Sequence, residues 1–418
     1  GSIAFVDFTV DELRIEQDVP VEELERALGE RLAEPHESAA EIVARHAVRL
    51  RAYAATHVEA TTVDGGRPWG TEVVGNVGIV GRDAADGPRA VFALALRPPH
   101  GDDARSVRLR DELVAREIVS HHTAIFLRSD WAGGVGAEGA PRLLGTVRAW
   151  NHDVVIRRDG SFWRGLGGAV ALGADHIATG TDHLMFLLAL MLAAPLVAAR
   201  GRWVGARASR DTLGALARVV SAFTLGHSAT LALGALGWVR GPAALVEPAI
   251  ALSILVTALH AVRPIFPRRE TWLAAAFGLI HGLAFARTLG GHDLGRAQIV
   301  WTLLGFNTGI ELAQVVLLLL VVPWVLLLAR TRTYAPVRCA AALAAATAAT
   351  GWLLERTTSL PNPTARPIAW LEAHPLPVLA AFAATAIVAR AAESWRARQE
   401  RTRSIVAHSS AMRARSIA

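Results

Sequence analysis

Two hydrophobic patterns divide the chain. Up to about residue 157, short runs alternate apolar and polar positions or repeat at the helical period. From residue 166 onward, apolar residues fill long runs with only short breaks. In the first part, residues 3–17 alternate as a half-buried strand does. Pro20 then opens a segment in which Val21, Leu24, Leu28 and Leu32 form one helical stripe. Ser38 with Glu41 predicts a capping box for a helix over residues 38–55, with Ile42, Val43, His46 and Leu50 turned inward. From His57 to Arg157 the runs GNVGIVG, AVFALAL, SVRLRDELV, AREIVSHHTAIFLRS and LGTVRAWNHDVVIR read as strands broken by Gly, Pro and Asp. The pattern predicts a β-rich, sandwich-like α+β domain over residues 1–160. Adjacent strand residues face opposite ways, so His121 and His122 are not expected to chelate one ion.

The second part predicts an α-helical polytopic membrane bundle over residues 161–392. Its runs, each near the ~20 residues a bilayer needs, are 166–199, 211–236, 243–262, 271–288, 298–329, 335–355 and 370–391, about seven spans. Arginines are dense after the first, third and fifth runs, at Arg200, Arg202, Arg207 and Arg210, at Arg263, Arg268 and Arg269, and at Arg330, Arg332 and Arg338. They are dense again in the tail, including Arg413 and Arg415. The other joints hold fewer: Arg240, then Arg287 and Arg296, then Arg356 and Arg366. The positive-inside rule therefore predicts a cytoplasmic C-terminal tail and residues 1–160 outside the cell membrane. No signal peptide is visible at Gly1-Ser2, and an exported first half implies one removed upstream. The tail, 393–418, is basic without a sustained apolar stripe and is expected to be disordered near anionic lipid.

Composition narrows the function. The net charge is +6, and every basic residue other than histidine is arginine. From residue 166 onward these arginines cluster in the joints between apolar runs, which fits membrane orientation better than a nucleic-acid surface. The single cysteine, Cys339, excludes an intrachain disulfide and a cysteine zinc site.

The candidate chemistry lies inside the spans, where ionisable groups are costly and tend to mark a site. The first run carries Asp175, His176, Asp182 and His183. His176 and His183, seven residues apart, share a helical face with Asp182 one step round. The second run places Thr224, His227 and Ser228 on one face, with Ser221 nearby. The third carries Glu247, Ser253, Thr257 and His260, the last near its cytoplasmic end. In the fourth, His281 stands between Gly278 and Gly282, small residues that allow close helix approach. The fifth spaces Asn307, Glu311 and Gln314 at i, i+4 and i+7. With the predicted topology, His176, Asp182, His183, His227, His281 and Glu311 gather between the midplane and the outer surface. Imidazole with carboxylate suits Ni²⁺, Co²⁺ or Zn²⁺ better than Ca²⁺ or Mg²⁺.

At HIATGTDHLMFLLALML, AFTLGHSATLAL, VEPAIALSI, FGLIHGLAFA and GFNTGIELAQ the chain resembles the HupE/UreJ family of membrane proteins, in the family's order over residues 176–314. The resemblance implies a nickel or cobalt permease with His176, Asp182, His183, His227, His281 and Glu311 as its functional positions. It also implies a long form with an exported domain. The chain lacks a histidine-rich capture tract, and its first domain is larger than a simple permease needs.

Three functions remain open. In a permease, the histidines hold the metal ion while Asp182 and Glu311 offset its charge or orient an imidazole. In an intramembrane zinc hydrolase acting on a lipid or a membrane-anchored peptide, Glu311 or Asp182 is the general base and Ser221 or Ser228 an oxyanion donor. In a metal-stabilised scaffold, the external domain binds a partner protein. The expected partners are the bilayer, a metal ion and an extracytoplasmic protein or lipid.

Overall fold

The computed structural model describes the chain except residues 33–36, 81–86, 137–139, 240, 290–295, 359 and 418, and the side chains of 285–289, 296 and 404–417. Arg240 and the side chains of Arg287, Arg296, Arg413 and Arg415, used above for orientation, lie outside the described residues. The chain forms two compact units, residues 1–169 with 292–305, and residues 170–291 with 306–418.

The first unit is built on sheets. Its strands are β1 (Ser2–Phe8), β2 (Leu13–Pro20), β3 (Val58–Thr62), β4 (Gly70–Val73), β5 (Gly78–Val80), β6 (Arg89–Arg97), β7 (Ser106–Asp111), β8 (His122–Asp130), β9 (Arg142–Arg148) and β10 (Asp153–Arg157). One sheet runs β4-β6-β2-β1-β8-β9, with β5 also on β6, and a second runs β10-β7-β3. The pair β1–β8 is parallel and the other pairs are antiparallel. Residues 3–17, expected as one strand, make the hairpin β1–β2. Thr9 ends the run, because its hydroxyl donates to the Glu12 carbonyl and accepts the Glu12 N–H, folding the chain back at the exposed Val10.

Two helices cover the sheets, α1 (Val21–Leu28) and α2 (Ala39–His57). Gly29 ends α1 in the left-handed region at φ 71°, where a Cβ would be strained. Ser38 and Glu41 form the predicted capping box. The core joins Val6, Leu24, Leu50, Phe92, Leu109 and Ile125. His121 is buried against Glu23, while His122 is exposed, as strand alternation requires.

A carboxylate pins the end of β8. Asp130 is fully buried and accepts from Arg105 (2.6 Å), Arg158 (2.5 Å) and the Gly133 N–H (2.9 Å). Burial pushes its carboxyl up, and the two arginine hydrogen bonds outweigh that and hold it below the usual carboxylate range.

The helical region contains α3 (Phe162–Thr179), α4 (Thr181–Ala193), α5 (Ser209–Ala235), α6 (Ala243–Val262), α7 (Glu270–Leu289), α8 (Arg296–Leu328), α9 (Tyr334–Thr358), α10 (Ala365–Ala373) and α11 (Pro375–Ile417). Among the described residues, α5, α6, most of α8, α9 and Pro375–Arg403 of α11 are long and apolar enough to cross a membrane. The bent pair α3–α4 makes a sixth span if counted as one. The protein is therefore a multi-pass membrane protein with a β-rich region before its spans.

Three boundaries differ from the expectation. The run 166–199 is not one straight helix. It bends by 69° at Gly180, and beyond α4 it enters a hairpin of β11 (Leu196–Ala199) and β12 (Arg202–Ala206). Arg200 (φ 50°) and Gly201 (φ 70°) form its two-residue turn, the double positive φ that suits strand twist. The run 370–391 starts inside the short α10 and restarts at Pro375, which suits a first helical turn. The tail continues α11 as helix to Ile417 instead of being disordered.

Candidate metal centre

The site begins at the break between α3 and α4. Gly180 precedes the first turn of α4, and a Cβ there would stand 2.6 Å from the His176 carbonyl and 2.9 Å from His183 Nδ1. Only a residue without a side chain lets the chain bend while keeping both histidines close. The His176 and His183 rings then lie 4.7 Å apart, centroid to centroid.

Helix α5 supplies His227, and α7 supplies His281. These helices meet through glycines. A Cβ on Gly226 would stand 2.2 Å from the Ala275 carbonyl. One on Gly278 would stand 2.1 Å from that of Phe223, and one on Gly282 2.2 Å from that of His227. Backbones this close are the small-residue packing expected between spans, and Thr230 reinforces it by donating to the Leu279 carbonyl at 2.8 Å. The His183 ring thereby lies 4.9 Å from that of His281 and 6.0 Å from that of His227.

Neighbouring groups decide which ring nitrogen faces the cluster. Asp182 Oδ1 accepts the His183 backbone N–H and also lies 2.9 Å from His183 Nδ1. An accepting carboxylate requires the proton on Nδ1, so Nε2 carries the lone pair. Ser253 donates its one hydroxyl proton to the Ile250 carbonyl at 2.7 Å and stands 3.0 Å from His281 Nε2. Ser253 can then only accept from that ring, which puts the proton on Nε2 and the lone pair on Nδ1.

His183, His227 and His281 are 4%, 0% and 1% exposed. Buried there without a hydrogen-bond partner are His183 Nε2, His281 Nδ1 and both ring nitrogens of His227. Each such group costs about 1–3 kcal/mol unless something satisfies it. A metal ion would do that for one lone-pair nitrogen on each ring.

Two overlapping donor sets result, His176–His183–His227 and Asp182–His183–His281, with the donor atoms of each within 4.8 Å of one another. Nitrogens on one tetrahedral ion stand about 3.4 Å apart, so binding would draw the outermost donors of a set closer. The donors fit a transition-metal ion.

The other expected positions lie elsewhere. Glu311 is exposed on α8 and belongs to neither set. Asp175 and Ser221 are exposed, and the Ser228 hydroxyl donates to the Thr224 carbonyl at 2.7 Å. Glu247 is exposed, and its carbonyl accepts from Arg356. Of the polar face on α8, Gln314 is fully buried and accepts from Thr224 at 2.9 Å, tying α8 to α5. His260 Nδ1 accepts the N–H groups of Ile265 and Phe266 at 3.1 and 3.2 Å, closing the end of α6. The orienting role of Ser253 was not read from the sequence, where a span serine signals only a bond to its own helix.

Phe186, Phe223 and Phe277 pack beside the cluster. Phe186 lies 4.9 Å from Phe223 and 5.9 Å from Phe277, and Phe186 and Phe223 lie 5.7 and 5.3 Å from His281.

These features define a polytopic helical membrane protein with a buried imidazole–carboxylate cluster. Residues 152–356 match the family model described as HupE / UreJ protein, which identifies this segment as HupE/UreJ, here preceded by a β-rich region. No curated protein and no solved structure matches the chain.

Proposed function

We propose that the protein is a permease for a divalent transition-metal ion, nickel or cobalt, with the β-rich unit on the outer side of the membrane and the tail in the cytoplasm. The observation that carries this reading is the pair of donor sets sharing His183. A resident structural ion wants one closed set of ligands. Two sets with a common ligand let an ion move by exchanging His176 and His227 for Asp182 and His281 without leaving the cluster. His183, fixed by Asp182, is the pivot. The ion is the cargo, and the chain's part is to replace its water shell with imidazole and carboxylate inside an apolar bundle.

The aromatic group Phe186–Phe223–Phe277 favours a second reading. A zinc hydrolase would need an apolar wall beside its metal, and Phe186, Phe223 and Phe277 pack together next to His281.

The test is metal content and flux on the purified full chain. A permease shows nickel or cobalt uptake into proteoliposomes that is lost in His183→Ala. Tight stoichiometric zinc with no flux of either ion abandons the permease for the hydrolase.

A further inference from the structure

A second polar site lies at the other end of the helical unit. It is a cavity of about 270 Å³ where the C-terminal ends of α4 and α6 meet the N-terminal part of α5 and the first turn of α7. His260, Arg207, Arg218, Arg268 and Glu270 line it. Along α6, seven residues separate His260 from Ser253, about 10 Å at the helical rise, so the cavity is distinct from the histidine cluster.

Its charge balance excludes a cation. Three guanidinium groups face one carboxylate, and no ion pair or hydrogen bond holds any of the three among the described residues. Apart from Thr271 the other lining is apolar and includes Leu216 and Val219. His260 supplies an independent sign of a ligand. It is 4% exposed. Its Nδ1 accepts two backbone N–H groups, so the ring proton must be on Nε2. That Nε2–H is buried without a hydrogen-bond partner, and Glu270 Oε1 stands beyond hydrogen-bond reach at 3.8 Å. The ring therefore brings a buried donor without a hydrogen-bond partner to a cavity where three guanidinium groups outnumber the single carboxylate.

We infer that this cavity binds a phosphate group, held by Arg207, Arg218 and Arg268 with His260 Nε2–H as a fourth donor. Guanidinium forks match phosphate oxygens, and Glu270 keeps the cavity from holding more than a small anionic charge. The apolar wall suits the body of an anionic phospholipid, and the open arginine side suits free phosphate. The inference does not depend on the metal reading, because none of these residues belongs to the donor sets.

The experiment uses the detergent-purified, delipidated full chain. Inorganic phosphate is titrated calorimetrically, and phosphatidylglycerol or phosphatidylcholine is added before native mass spectrometry. One saturable phosphate or one retained phosphatidylglycerol per chain is expected, at least tenfold weaker in the double variant Arg218→Gln/Arg268→Gln. The metal content of that variant should stay unchanged, which separates this test from the metal one. Because His260 also closes α6, His260→Gln serves as a second variant, scored only if its melting temperature holds. Phosphate binding assigns a soluble anion, and phosphatidylglycerol retention without phosphate binding assigns a lipid headgroup. Binding of neither, equal retention of phosphatidylcholine, or affinities unchanged in both variants overturns the proposal.

Discussion

Ser253 on α6 stands 3.0 Å from His281 Nε2 on α7, and its own proton goes to the Ile250 carbonyl. This serine decides which nitrogen of His281 is free to bind metal. Ser253→Ala removes the acceptor, so the ring can turn or change tautomer. Partners of this kind typically contribute 10–100-fold in metal affinity. The expected outcome is a loss of that order in a competition titration with nickel or cobalt, with melting temperature little changed. Ser253→Thr keeps the hydroxyl and should restore most of the affinity. Equal affinities in wild type and Ser253→Ala would show that His281 is not a ligand.

The approach of α5 and α7 rests on missing side chains. Leucine at Gly282 would drive a Cβ to 2.2 Å from the His227 carbonyl, so the helices must separate or shift. Such overpacking costs about 1–3 kcal/mol, and here it also parts His227 from His183. Gly282→Leu should lower the melting temperature and abolish bound metal. Gly167→Ala is the control. That glycine is exposed in α3 with nothing within 4 Å of an added Cβ. Alanine there should be neutral or stabilise by up to about 1 kcal/mol.

These contrasts show what the sequence could reveal. The closeness of His176 and His183 was expected from a shared face on one helix, but the structure reaches it across the 69° break between α3 and α4. The glycines around His281 were legible because small residues allow close helix approach. The bend at Gly180 was not, since the polar residues from Asp175 to His183 were read as a site on one continuous span, while the bend depends on the close approach of Gly180 to the His176 carbonyl and the His183 ring. The hairpin at Arg200-Gly201 was hidden because Leu196–Ala199 extends the preceding apolar run. Glu311 looked like a ligand because its spacing matches Asn307 and Gln314. Depth along a helix says nothing about which side of it faces the bundle, and Gln314 takes the inward place.

Acid should weaken the sheet unit at Asp130. Its carboxyl lies below the usual range in the folded chain. The stabilisation it gives is therefore complete above the unfolded value of about 3.9 and drains away as pH falls through the lower folded value. Hydrogen exchange over residues 128–135 should accelerate between about pH 4 and pH 2 in wild type. Asp130→Asn removes the charge that pairs with Arg105 and Arg158. Breaking a buried pair costs about 3 kcal/mol, so exchange should already be fast at pH 6 and change little with acid. An Asp130→Asn variant with wild-type protection and the same acid response would remove this carboxylate from the account.

Asp182 and Glu311 are both carboxylates in apolar helices, and the structure separates them. Asp182 Oδ1 binds the backbone N–H and Nδ1 of His183 and belongs to a donor set. Glu311 is exposed and belongs to neither. Asp182→Ala should therefore free the His183 ring and remove a negative charge beside the ion. A 10–100-fold loss of nickel or cobalt affinity is expected, the range for a ligand-orienting carboxylate. Glu311→Gln should leave affinity within about twofold, as a change outside the donor sets does not touch the ion or its ligands. Metal titration of the two variants in the same detergent compares them directly. If Glu311→Gln loses metal while Asp182→Ala keeps it, the ion sits on the α8 side and the donor sets built around His183 are the wrong ones.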